Sequence, residues 1–247
     1  MWEKLGGSPV TEADMAVDLF LRESLLDARP AYGWMSEETA DNPVRRTCER
    51  IFIVDPIDGT RGFIAGDKRW CISMAVVAEG RPTTAVLFAP ALGKLFWAEA
   101  GKGAFDEGGP LAVSTCGSLA KARLAGARSW LRDAAFEPYG ILIEAHMPSL
   151  AYRIACVADG SIDAAFASPR AHDWDLAASD LLVHEAGGRL TGLDGLAPRY
   201  NREGLTHGVL GAANGALQDE LLAVLRGVAQ ARSQASPLEV NRGHRTG

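Results

Sequence analysis

Ile51-Phe52-Ile53-Val54-Asp55-Pro56-Ile57-Asp58-Gly59-Thr60 runs a short apolar, β-branched strand straight into paired acids. Pro56 stiffens a sharp turn at the strand end. With two residues between them, Asp55 and Asp58 can point to the same side, and the Ile57 carbonyl can add a third hard oxygen. Oxygen donors of this kind outline a magnesium site. Gly59 permits close backbone approach, and a helix starting near Thr60 would turn free N–H groups toward the same place, ready for a phosphate. A capped turn between strand and helix explains Gly59 and Pro56, but gives no reason for two acids beside an apolar strand.

Outward from this stretch, Thr11 opens a helix to about Ala28, with Thr11 and Asp14 in a capping-box relation and Val17, Leu21 and Leu25 on one stripe. Segments 51–54, 71–78, 83–88 and 94–98 are short, apolar and punctuated by Gly and Pro, which predicts an antiparallel sheet. After about Val113 the pattern changes. Leu124, 141–143, 162–166 and 209–212 predict strands, and 150–158, 174–185 and 216–229 predict helices. The expected organisation is an α+β half over 1–113 carrying most of the acids, an α/β half over 114–231, and a flexible polar tail over 232–247.

The 247 residues include 47% apolar side chains, enough for a large core, and a net charge of -6 excludes a basic track for nucleic acid or anionic membrane. An acidic protein handling phosphate needs cations from outside. Cys48, Cys71, Cys116 and Cys156 lack CxxC spacing and read as reduced, buried thiols, and with no apolar leader or spanning stretch the expectation is a cytoplasmic protein outside the membrane.

Two further acidic segments stand out. Tyr32-Gly33-Trp34-Met35-Ser36-Glu37-Glu38 ends an apolar segment in adjacent acids, which are more often solvated surface than ligands. Asp175 falls in the first turn of the helix that follows Arg170-Ala171-His172-Asp173-Trp174 and ends at Gly187-Gly188, where favourable interaction with the helix dipole competes with metal binding as its role. Other catalytic motifs fail: His184-Glu185 is followed by Gly188 where a zinc-protease helix needs its second His, and neither GxSxG nor GxxxxGK[ST] occurs.

Together, Ser8-Pro9-Val10-Thr11-Glu12-Ala13-Asp14, Ser36-Glu37-Glu38-Thr39, Asp55 to Thr60 with Arg61-Gly62-Phe63, and Trp174-Asp175 through Gly188 resemble the inositol monophosphatase family, in its order and over about 8–229. The resemblance implies a layered αβαβα sandwich of the sugar-phosphatase type, a homodimer, dependence on two or three Mg²⁺ ions and inhibition by Li⁺. It implies that Glu37, Asp55, the Ile57 carbonyl, Asp58 and Asp175 are metal ligands and that Asp14 and Thr60 position and activate the attacking water. Gly59 and Thr60 N–H groups would meet the phosphate, and Arg170 and His172 are candidate substrate contacts, with exposed polar loop residues as the alternative. Carboxylates converging in this way repel one another unless cations sit among them, and paired metal ions suit phosphoryl transfer.

The departures matter for substrate. Ser168 stands where inositol-selective members of the family carry an acid, so inositol monophosphate, a 3'(2'),5'-bisphosphate nucleotide and histidinol phosphate all remain candidate small phosphorylated metabolites. Only seven residues precede Ser8, where the family has a helical region, so an apolar surface is expected to lie open. A regulatory binding protein with a retained metal site is the non-enzymatic alternative, although every carboxylate the chemistry requires is present.

Overall fold

The structure is a computed structural model that describes residues 2–3 and 9–235; Ser8 and 236–247 lie outside the described residues. Along the chain, β1 (Trp2–Glu3) pairs with β2 (Pro9–Val10), and Thr11 then caps α1 (Glu12–Ala28). The expected capping box is present: the Thr11 hydroxyl accepts from Ala13 and Asp14, and Asp14 accepts from the Thr11 N–H at 2.7 Å. The amphipathic reading needs correction. Val17, Leu21 and Leu25 are half-buried, Leu19 and Phe20 are exposed, and the side chains that α1 buries are the acids Asp14 and Asp18.

A sheet follows: β3 (Gly33–Ser36), β4 (Arg50–Asp58), the short helix α2 (Thr60–Ile64), β5 (Cys71–Ala78), β6 (Arg81–Ala89), β7 (Lys94–Glu99), β8 (Ala104–Asp106) and β9 (Gly109–Pro110). Its order is β3-β4-β5-β6-β7-β8-β9. All neighbours are antiparallel except β3 and β4, which run parallel. The second sheet comes from β10 (Arg123–Ala125), β11 (Leu142–Ile143), β12 (Ala164–Ala167), β13 (Gly188–Gly192) and β14 (Leu210–Asn214), in the order β11-β10-β12-β14-β13. Helices α3 (Arg128–Leu131), α4 (Leu150–Ala158), α5 (Asp173–Glu185) and α6 (Gly215–Ala235) complete the chain.

The layers follow from what each element touches. Helix α1 packs on β4, α4 and α5 pack on each other and between the two sheets, and α6 lies on β13 and β14, giving the αβαβα sandwich. Strand β4 is buried from Ile51 through Asp58, as a strand covered on both faces must be. One core joins the first sheet to α4 and α5; a second lies between the smaller sheet and α6 around Leu124, Phe166 and Leu221.

Some boundaries differ from expectation. Helix α6 reaches Ala235, past the start assigned to the tail, where Arg232 lies over the Trp130 ring and donates to the Ser129 carbonyl. Strands β8, β9 and β13 carry too little apolar patterning to stand out in the sequence. All four cysteines are free, but only Cys71 and Cys156 are buried; Cys48 and Cys116 are half-buried. No helix among the described residues is long and apolar enough to cross a membrane.

Leu182, fully buried near the C-terminal end of α5, tests the inter-sheet core. Leu182→Ala should cost about 2 to 5 kcal/mol, read as a lower urea midpoint with an unchanged slope in EDTA.

Candidate active site

Asp55 and Asp58 do not follow the end of a strand; they are part of β4. Residues three apart in a regular strand face opposite sides, so their convergence needs a break in the alternation. The register with β5 supplies it: Asp55 pairs with Ser73 and Asp58 with Cys71, one extra residue on β4. This bulge, with Pro56 at a position where a missing N–H is tolerated, turns both carboxylates to one side. The Ile57 N–H donates to Asp55 Oδ1 at 3.0 Å and holds the turn.

Neighbouring elements bring in the other groups. Parallel pairing sets Ser36 beside Val54, and the Glu37 N–H donates to the Val54 carbonyl at 3.2 Å, so Glu37 arrives level with Asp55. Asp18 grips this loop, accepting from the Ser36 hydroxyl and from Thr39 Oγ1 at 2.9 Å. Asp58 lies against the start of α4, where its Oδ2 accepts from Ser149 Oγ at 2.6 Å and the Ala151 N–H at 2.5 Å. Favourable contact with a helix N-terminus offsets part of the cost of burying that charge. Asp175, at the third position of α5, accepts from the His172 N–H at 2.7 Å, so its helix-capping role and its place in the cluster coexist.

Carboxylate oxygens of Asp55, Asp58 and Asp175 lie within 4.8 Å of one another. Burial and then repulsion from Glu37, Asp58 and Asp175 hold the Asp55 carboxyl well above the usual carboxylate range. Burial and Asp175 push Asp58 up to about 7, against the lowering effect of the bonds from Ser149 and Ala151. Asp55 Oδ2 is buried without a hydrogen-bond partner. A buried carboxyl oxygen with no donor, beside two other acids, fits a hard divalent cation, whose charge would favour the ionised form.

Thr60 opens α2 next to this cluster. Its hydroxyl lies 3.0 Å from the Ile57 carbonyl and 3.2 Å from Asp14 Oδ1, and its one proton can serve only one of them at a time. Asp14 Oδ2 is held by the Thr11 hydroxyl at 2.6 Å. Gly59 has φ 93°, and a Cβ there would stand 2.9 Å from the Ser149 nitrogen, so the position requires glycine on both counts.

Glu37, Asp55, Asp58, Gly59, Thr60 and Asp175 line an open cleft of about 290 Å³ with Pro9, Arg61, His146 and Pro148. Arg170 and His172 stand outside that lining. Arg170 is exposed with φ 79°, and its N–H donates to the His207 carbonyl. His172 stacks on Trp174 at 4.6 Å, 3.8 Å from Asp175, which raises its pKa. Arg61, His146 and Ser149 were not picked out from sequence; for Ser149 the signal was present, an N-cap residue just before an apolar helical run. Arg153, one turn further along α4, has a buried, unpartnered Nε and a pKa lowered by burial and raised by Asp58 and Asp175.

The layered α/β sandwich gathers buried acids around a carboxyl oxygen without a donor, beside a hydroxyl–carboxylate pair, an arrangement that suits cation-assisted hydrolysis. The comparisons make this specific. A family model described as the inositol monophosphatase family matches residues 3–230. A histidinol-phosphatase of Mycobacterium tuberculosis is 39% identical over 87% of this chain and 84% of its own. An inositol-1-monophosphatase of Rhizobium meliloti is 33% identical over 75% of this chain and 73% of its own. The solved structure of an IMPase from Thermotoga maritima superposes with a TM-score of 0.78 at 30% identity, covering 93% of this chain and 88% of that one. The chain belongs to the inositol monophosphatase family of metal-dependent phosphatases and is a phosphoric monoester hydrolase.

Asp55→Asn separates charge from shape at the centre of the cluster. Removing one of several repelling charges should leave the EDTA-treated protein at least as stable as wild type. Wild type should gain about 2.7 kcal/mol from Mg²⁺ at 100 times its Kd, and the variant little. Paired thermal melts in EDTA and Mg²⁺ check this; a variant that melts well below wild type in EDTA and gains equally from Mg²⁺ makes Asp55 a turn residue.

Proposed function

We propose that the chain is a Mg²⁺-dependent phosphomonoesterase acting on a small phosphorylated metabolite through a water activated at the Asp55–Asp58–Asp175 cluster. The bare Asp55 Oδ2 inside that cluster carries the reading. Glu37, Asp55, the Ile57 carbonyl, Asp58 and Asp175 would hold two or three ions. When bound, the ions supply positive charge at the attacking and leaving oxygens and lower the pKa of a bound water. The Ile57 carbonyl keeps a lone pair after accepting from Thr60.

The protein's own groups do the rest. Thr60 Oγ orients the water through its lone pairs while donating its proton to Asp14 or Ile57, and the Asp14 carboxylate, held by Thr11, takes up the proton the water loses. The Gly59 and Thr60 N–H groups receive the phosphate where the backbone turns into α2. Arg170 and His172, at the approach to Asp175, meet the rest of the substrate.

Histidinol phosphate is the second reading for the substrate. It is favoured by the 39% identical histidinol-phosphatase and by Ser168 in place of the acid expected in inositol-selective members. Li⁺ inhibition and a homodimer belong to the same reading, with family membership as their support, and a cytoplasmic location is read from the four free cysteines.

Phosphate release should require Mg²⁺, vanish in excess EDTA and fall with Li⁺. Inositol 1-phosphate, histidinol phosphate, 3'-phosphoadenosine 5'-phosphate and fructose 1,6-bisphosphate assayed side by side identify the substrate, and activity that persists in EDTA overturns the proposal. Thr60→Ala should reduce kcat by about 10² to 10⁴-fold, the range for loss of general acid–base assistance. Its Mg²⁺ requirement should hardly move; an equal loss in both reassigns Thr60 to the metal site.

A further inference from the structure

Glu37 and Asp175 come to the cleft from segments far apart in the chain, and a buried bridge joins those segments. Arg45 is 3% exposed and sits in the 3₁₀ turn Pro43–Thr47, shortly after Glu37. Its Nε donates to Asp41 Oδ1 at 2.6 Å and its Nη2 to Asp41 Oδ2 at 3.2 Å, a two-pronged grip within the loop. The same guanidinium reaches across the molecule: Nη1 donates to Asn201 Oδ1 at 2.5 Å and Nη2 to the Arg202 carbonyl at 2.9 Å. Asn201 in turn donates its N–H to Asp173 Oδ2 at 2.8 Å, while His207 Nε2 lies 2.7 Å from Asp173 Oδ1. Asp173 is fully buried in the first turn of α5, two residues before Asp175.

All three guanidinium nitrogens of Arg45 thus donate, and both oxygens of Asp173 are filled. Asn201 has φ 58°, a left-handed conformation that Asn tolerates better than most residues. That geometry lets its backbone face Asp173 while its carboxamide faces Arg45. A part-buried charged bridge of this kind contributes little net stability, but its directional bonds define position.

We propose that Arg45 and Asn201 are positioning residues for the metal cluster: they lock the loop that carries Glu37 to the start of the helix that carries Asp175. The bridge rests on the Mg²⁺-dependent reading above. It sets the spacing of the two outer carboxylates, and through that spacing the Mg²⁺ concentration the site needs, without touching substrate or water.

Asn201→Gly keeps the left-handed backbone and its N–H to Asp173, and removes only the carboxamide that Arg45 holds. Asn201→Asp tolerates the same backbone and restores an acceptor. Arg45→Lys keeps the charge but cannot span Asp41 and Asn201 together. For each variant, melting temperature is followed in EDTA and through a Mg²⁺ titration, and phosphate release is measured over the same titration.

Asn201→Gly and Arg45→Lys should raise the Mg²⁺ concentration for half-maximal stabilisation and half-maximal activity about tenfold, as loss of a ligand-orienting partner does, with kcat at saturating Mg²⁺ nearly unchanged. Asn201→Asp should restore the wild-type requirement, and the double variant Arg45→Lys/Asn201→Gly should need no more Mg²⁺ than Arg45→Lys alone. An Asn201→Gly protein with the wild-type Mg²⁺ requirement overturns the bridge, whatever its melting temperature in EDTA. Should Arg45→Lys not fold, the Asn201 pair decides alone. A wild type that gains no stability from Mg²⁺ overturns the metal reading and the bridge with it, which separates the two failures.

Discussion

The structure depends on a concentration of like charge. Asp55, Asp58 and Asp175 place carboxylate oxygens within 4.8 Å in a region where Asp55 is 1% exposed. Burial and mutual repulsion both oppose ionisation there, and the Asp55 and Asp58 carboxyls respond with raised pKa values. A fold can hold such a group only if the surrounding scaffold is stiff and a cation, once present, recovers the electrostatic cost.

Much of the architecture can be understood as that scaffold. The β4 bulge turns Asp55 and Asp58 together, the start of α4 holds Asp58, the first turn of α5 presents Asp175, and the parallel pairing of β3 with β4 delivers Glu37. Helix α1 is the least conventional member. It buries two acids and exposes Met15, Leu19 and Phe20, because Asp14 faces Thr60 and Asp18 grips the loop after β3. Behind the acids, Arg45, Asn201 and Asp173 tie distant segments into one frame. Polar groups in this protein are therefore buried where they orient something, and the apolar cores on either side of the smaller sheet carry the burial of apolar surface that stabilises the fold.

The interior and the rim of the cleft are built differently. The acids and Thr60 sit on strands and helix starts in the interior, where backbone hydrogen bonds limit their movement. Arg61 and His146 are exposed on the cleft wall, and Arg170 sits in a strained turn outside it. Exposed side chains at such positions can be exchanged without disturbing the buried charge cluster.

Local chemistry was legible in the sequence. The α1 cap, the helices at 150–158 and 174–185, most of the first sheet and the paired acids at 55 and 58 announce themselves through patterns spanning a few residues, since capping, alternation and turn propensity are short-range effects, whereas Glu37 and Asp175 stood out only through the family resemblance. The bulge was not legible, because it exists only in the register between β4 and β5 and no residue encodes it alone. Nor was the burial of Asp18, Arg45 and Asp173, which have partners far away in the chain, among them Ser36 for Asp18 and Asn201 for both Arg45 and Asp173, and whose side chains in isolation would be read as solvated. Sequence by itself determined which groups could bind a cation; tertiary structure decided that they meet, because convergence of like charges is opposed locally and is secured only by long-range packing and hydrogen bonds that form with the whole fold.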